Sequence, residues 1–244
     1  MKRRMLVAAA TLVVLGVHTL AESAPAADSR YVAVSLVGDE ITYTGAPDMS
    51  TGTLHPRGKS QAVPMKGAPF DRTVLEVLAG AVPRARPGAT LSFLALSAPE
   101  AFMNQDAWFD GDKITLPASL RSAVDKEGAS QLLLVTKIRG EAGITDGVTK
   151  YGIGKLAGLG FYIDGYSAMI DPKLGAVRGF IAPYVYVKLS VVDLATSTVT
   201  AHRLVQTATS YTSLNAQAMM DALQDVLVKN VGDAAERLLK PAAP

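Results

Sequence analysis

Apolar positions along this chain recur in two periods, and the period changes tell where strands give way to helices. Tyr31–Val37 (YVAVSLV), Thr90–Ser97 (TLSFLALS) and Gln131–Ile138 (QLLLVTKI) are near-continuous apolar runs, the pattern of strands buried on both faces. A short second strand is expected over Ile41–Thr44. Val74, Leu75, Leu78 and Val82 recur at three- and four-residue steps, which predicts a helix from Asp71, placed to cap it, to Val82, with Pro83–Gly88 ending it. Pro99–Trp108 and Leu116–Glu127 read as further short helices, each with a proline near its start. Three strands are then expected, over Leu159–Ile170, Phe180–Val192 and Thr198–Ser210. Asp171-Pro172-Lys173-Leu174-Gly175 has the chemistry of a turn between the first two, and Asp193–Ser197 joins the second and third. Leu214–Leu239 carries an apolar stripe of Met219, Leu223, Val226, Leu227, Val231, Ala234 and Leu238, so a long helix is expected there, capped by Ser213 or Asn215 and stopped by Pro241.

This order predicts an α/β or α+β fold: a mixed sheet with a C-terminal antiparallel meander, packed by helices that include the long terminal one. Gly45–Pro69 is rich in Gly, Pro, Ser and Thr and reads as a long mobile surface loop, and Arg139–Gly160 as a Gly-rich loop.

The first 26 residues have a different character. Lys2, Arg3 and Arg4 precede an uncharged, mostly apolar run over Met5–Val17, and Ala24-Pro25-Ala26 supplies a small-x-small cleavage pattern. This is the pattern of a secretory signal peptide, with cleavage after Ala21 as the alternative site. The run is too short for a spanning helix, which needs roughly 20 apolar residues. The expectation is an exported protein of the bacterial periplasm, with residues 27–244 forming one globular domain and no stable membrane span after cleavage. Removing residues 1–26 takes away three basic residues and one acidic one, which brings the formal charge from +2 to zero. A neutral chain is a poor binder of nucleic acid, which requires a basic face. With no cysteine, disulfides, thiolate metal sites and a cysteine nucleophile are all excluded.

Three motifs carry little chemistry. Gly152-x-Gly154-x-x-Ala157 fits a loose dinucleotide fingerprint, but Gly158 and Gly160 follow where a helix should open. Gly38-Asp39-Glu40 resembles the Gly-Asp-Ser turn of secreted esterases, with Glu40 at the nucleophile position and no Asp-x-x-His near the C-terminus. His55 and His202 are far apart and belong to no short metal-binding cluster. No catalytic residue, cofactor or metal is therefore assigned. Acids near element ends, Asp39, Asp71, Asp164 and Asp193, are equally suited to capping and turns.

Ser130–Gly140 (SQLLLVTKIRG) and Val187–Ala201 (VKLSVVDLATSTVTA), followed by the terminal helix, resemble a group of bacterial envelope domains. These are the periplasmic domains of the curli secretion channel lipoprotein, the lipoprotein activators of penicillin-binding proteins and the N-terminal domain of the Tol translocation protein. The resemblance covers about the last 110 residues at the level of pattern. This chain lacks the acylated cysteine of the lipoproteins and has Ser197 where their turn usually has glycine. The resemblance implies a non-catalytic role in binding another envelope protein.

The most unusual local feature is aromatic. Tyr151, Phe161, Tyr162, Tyr166, Phe180, Tyr184 and Tyr186 crowd into one glycine-rich stretch. Tyrosines on an open sheet face make a rigid, amphipathic binding surface, so Tyr162, Tyr166, Tyr184 and Tyr186 are the candidate partner-binding residues. Cross-strand packing and a membrane-inserting hairpin are the competing explanations. The sequence thus points to an exported, non-catalytic binding or accessory module of the envelope. The alternatives are an exported hydrolase using carboxylates such as Asp39 and Asp164, or an oligomeric or membrane-associated assembly. A homo-oligomer is compatible with either class.

Overall fold

The computed structural model describes residues 29–38, 40–46, 60–96, 99–144, 152, 154–164, 180–211 and 215–240. The chain runs through β1 (Arg30–Leu36), β2 (Glu40–Gly45), β3 (Ser60–Pro64), α1 (Pro69–Ala85) and β4 (Thr90–Leu94). Two 3-10 turns (Pro99–Phe102 and Gln105–Trp108), β5 (Phe109–Asp110) and β6 (Lys113–Ile114) follow. Then come α2 (Ala118–Lys126), β7 (Gln131–Lys137), β8 (Arg139–Glu141), β9 (Lys155–Asp164), β10 (Phe180–Asp193), β11 (Thr198–Ala208) and α3 (Ala216–Leu239).

The fold is the expected mixed sheet with an antiparallel C-terminal meander and helical packing. β4 and β7 flank β1, both parallel to it. β10 is the longest described strand, with β11 antiparallel along one side. Its other side is shared, Val187–Asp193 pairing with β7 and Phe180–Tyr186 with β9. β9 in turn pairs in parallel with β2, which carries β3 at its edge. The sheet therefore splits into two arms beyond β10, and the β1–β2 segment crosses from one arm to the other through Val37 and Gly38.

Strand alternation sends neighbouring side chains to opposite faces. Tyr31, Ala33, Leu133, Val135, Val187 and Leu189 join Val74, Leu78, Val82, Leu223, Leu227 and Val231 in one core, under α1 and α3. Val32, Val34, Leu36, Leu132, Leu134 and Val192 face the other way, against Leu120 and Val124 of α2 and Trp108. A strand–crossover–strand unit is right-handed, so crossovers that run in opposite directions across the sheet, from β1 through α1 to β4 and from β4 through α2 to β7, place their helices on opposite faces.

Several boundaries differ from the sequence expectation, each for a local reason. The stretch 45–69 contains β3, whose five residues are too short and too polar to stand out. α1 runs through Pro83 to Ala85, because a proline in the last turn forgoes a single hydrogen bond. Arg86 N still donates to Val82 O at 2.8 Å beyond it. Pro99–Trp108 is two 3-10 turns, broken at Asn104 with φ 49°. The Gly-rich stretch 139–160 contains β8 and the first half of β9. Asn215 caps α3, its Oδ1 accepting from Ala218 N at 2.8 Å. Asp193 closes the β10–β11 turn by accepting from Thr196 N at 2.8 Å and Thr196 Oγ1 at 2.9 Å, bonds that hold its carboxyl below the usual range. The expected turn over 171–175 lies outside the described residues.

Candidate binding cleft

β1 and β4 are parallel neighbours whose C-terminal ends stop beside the first turn of α1. Open α/β sheets hold their ligands outside the carboxyl ends of such strands. Here a cleft of about 360 Å³ opens at that place. Ser35 comes from the end of β1, Asp71, Leu75 and Ala79 from α1, and Phe93, Ala95 and Leu96 from the end of β4 and the residues after it. The walls are mostly apolar. Exposed Arg72 and Glu76 stand at the rim, and Phe93 is 45% exposed.

Asp71 is the polar centre of the cleft. The helix begins at Pro69, so Asp71 is its third residue, while the cap position is Ala68, with φ 44° and no side-chain bond. The sequence expectation that Asp71 caps the helix is thus corrected. Its carboxylate reaches sideways to the end of β1 instead. Oδ1 accepts from Ser35 Oγ at 2.6 Å, Val37 N at 2.9 Å and Gly38 N at 3.3 Å. The two amides lie just past the end of the β1 ladder, where buried backbone donors need a partner from elsewhere. Asp71 thereby ties α1 to the sheet. Among the described residues no donor reaches Oδ2. Burial raises the carboxyl from its ordinary 3.8 to about 6, against the opposing pull of the three hydrogen bonds and of the Lys137 charge.

A second, polar depression of about 330 Å³ lies at the ends of β1 and β7, lined by Glu40, Thr42, Asp106, Lys137 and Arg139 among others. Its floor is structural. Buried Gln105 donates to Leu36 O at 2.9 Å and Ala101 O at 3.3 Å and accepts from Lys137 N at 2.8 Å. One side chain thus satisfies the backbone of both strands where the arms diverge.

The tyrosines chosen from the sequence are placed differently from an exposed binding face. Tyr162, Tyr184 and Tyr186 are 0–1% exposed and form a third core with Ala142, Ile144, Leu156 and Ala182. Tyr184 and Tyr186 meet edge to face at 5.7 Å. Tyr186 Oη donates to Glu141 O at 2.8 Å and accepts from Gly143 N at 3.0 Å, and Tyr184 Oη donates to Thr42 O at 3.3 Å. Burial raises both hydroxyl pKa values. Alternation puts Tyr184 and Tyr186 on one face of β10, and the residues from Glu141 to Ile144, after β7, cover that face. Tyr166 lies outside the described residues.

The remaining sequence candidates do not converge. His202 is exposed on β11, Asp164 ends β9, and Asp39 and His55 lie outside the described residues. Gly154 leads directly into β9, so no helix opens after the Gly152-x-Gly154-x-x-Ala157 motif. Among the described residues no cluster of three metal-ligating side chains occurs, and no helix is long and apolar enough to cross a membrane. Sequence reasoning named Ser35 and Phe93 only as strand residues and Asp71 only as a cap. The available signal was an acid in the first turn of a helix with proline at its start.

No protein-family model and no curated protein matches the chain. Among solved structures it is similar to protein XCC0632 from Xanthomonas campestris, described with the family model DUF330, at a TM-score of 0.40 and 11% identity, covering 87% of this chain and 84% of that one. It is also similar to the PelC dodecamer from Paraburkholderia phytofirmans, at a TM-score of 0.33 and 9% identity over 88% of this chain and 89% of that one, with the same values for a single-substitution variant.

Proposed function

We propose that this chain is an exported, non-catalytic binding module of the bacterial cell envelope, and that it binds through the cleft at the ends of β1 and β4. The observation that carries the reading is the cleft's make-up: apolar walls around the Asp71 carboxylate, whose Oδ1 is committed to the fold and whose Oδ2 takes no donor among the described residues. A few polar groups in a mostly apolar concavity are the ordinary composition of a binding site. Serine hydrolysis asks for more. Ser35 is 3% exposed, its hydroxyl donates a hydrogen bond to Asp71, and among the described residues no histidine lines the cleft to act as the base. The N-terminal pattern of residues 1–26 supports export to the periplasm.

The test is a photo-crosslinking residue at Phe93, at the mouth of the cleft, compared with one at Val228, which is exposed on α3. In intact cells, adducts to one envelope component from position 93 and none from 228 support the reading. Adducts from 228 alone overturn it, and self-adducts alone favour the oligomeric assembly. The raised Asp71 carboxyl favours one competing reading, an exported hydrolase with Asp71 as general base. That reading requires turnover on a hydrolase panel that Asp71→Asn removes.

A further inference from the structure

We propose that the cleft takes a small amphiphile that presents a protonated amine to Asp71 and lays an apolar body along Leu75, Phe93 and Leu96. The inference rests on the cleft being the binding site, and adds the chemistry it selects. Its volume of about 360 Å³ lies in the range of small-molecule sites, roughly 300–1,000 Å³.

The polar partner is an acceptor. Asp71 Oδ1 already takes three donors, so the free capacity of the carboxylate lies at Oδ2, and a ligand must bring the hydrogen. A cationic donor makes a stronger bond there than a neutral one. Among the lining residues Asp71 and Glu76 stand against Arg72, and the Lys137 charge also reaches Asp71, so Glu76 at the rim is the acid left to attract a cation. A helix N-terminus ordinarily attracts anions. Here that end already carries the Asp71 carboxylate in its first turn, which satisfies the helix dipole and repels a second negative group. Phe93, 45% exposed at the mouth, supplies apolar surface for the body of the ligand.

The test is calorimetric titration of the mature protein at pH 7.5 with three probes of equal chain length: octylamine, 1-octanol and octanoate. Octylamine is expected to bind at least tenfold more tightly than octanol, and octanoate more weakly than either. Asp71→Asn should bring octylamine down to the octanol value. Glu76→Lys, at an exposed position whose side chain makes no hydrogen bond among the described residues, should weaken octylamine several-fold with far less effect on octanol, and it keeps the test decisive if the Asp71 variant does not fold. Ala79→Trp, which fills the cleft from an exposed position, should abolish binding of all three with the circular dichroism spectrum unchanged. If octylamine and octanol bind equally and Ala79→Trp still abolishes both, the cleft is a binding site and the amine inference is wrong. If none of the probes binds, or binding survives Ala79→Trp, the cleft itself is wrong and both proposals fall.

Discussion

Replacing Asp71 by asparagine should make the protein more stable at neutral pH, and by an amount that depends on pH in a defined way. The carboxyl ionises at its ordinary 3.8 in the unfolded chain and at about 6 in the folded one, because burial disfavours its charge. The folded state therefore holds this proton more tightly than the unfolded state does. Linkage sets the sign: the contribution of Asp71 is fully present below about pH 3.8, declines as pH rises, and is lost above about pH 6. At about 1.4 kcal/mol for each tenfold difference in proton affinity, and with a discount for the open side of the cleft, the loss amounts to about 2–3 kcal/mol. Asparagine is neutral throughout and keeps a carbonyl oxygen for Ser35 Oγ, Val37 N and Gly38 N. Lys137, whose charge favours the ionised Asp71, is unchanged in the variant. The assay is urea denaturation of wild type and Asp71→Asn in half-unit steps from about pH 4 to pH 8. The advantage of the variant should be small at the acid end, grow between about pH 4 and 6, and level off at about 2–3 kcal/mol. A difference independent of pH, or one that turns against the variant as pH rises, would refute the assignment of a buried, proton-retaining Asp71.

Four further substitutions probe the frame of the fold. Gly160→Ala places a Cβ against the Thr42 carbonyl oxygen and within 2.7 Å of Tyr184 Oη, so it should break the pairing of β2 with β9 and cost about 3 kcal/mol or more in a thermal or urea melt. Ser197 sits in the β10–β11 turn at φ 52°, a left-handed conformation that costs a non-glycine residue roughly 1 kcal/mol. Ser197→Gly should therefore raise stability by about 0.5 kcal/mol, the balance being the lost bond from Arg121 Nη1 at 3.2 Å. Tyr184→Ala and Tyr186→Ala should each lower stability by about 3–5 kcal/mol, as for other large core truncations; a folded variant of unchanged stability would put these side chains at a surface after all.

What the sequence made legible follows from how local each signal is. β1, β7 and α3 are carried by runs or stripes within a single element, and the structure has them within two residues of the expected bounds. The β10–β11 hairpin was legible because Asp193 and the short turn after it act within four residues. The cleft was not, because its parts are distant in the chain: Asp71 meets Ser35 across 36 positions, and Phe93 arrives from a third element. The burial of the tyrosines depends on a distant segment in the same way. Alternation in β10 shows that Tyr184 and Tyr186 share a face, and it carries no information about whether the segment from Glu141 to Ile144 will lie over that face. Gly160 shows the same dependence, since its missing side chain is required by the Thr42 carbonyl of a strand more than a hundred residues earlier.

If ligands seat where β1 and β4 end against α1, titrating octylamine into the isotopically labelled mature protein should move a defined set of amide resonances. Shifts should concentrate at Ser35, Val37, Gly38, Asp71, Leu75 and Phe93 and saturate together with one dissociation constant. Shifts centred instead on the groove between β11 and α3, around Leu204 and Asn230, or scattered over the surface without saturation, would contradict that seating.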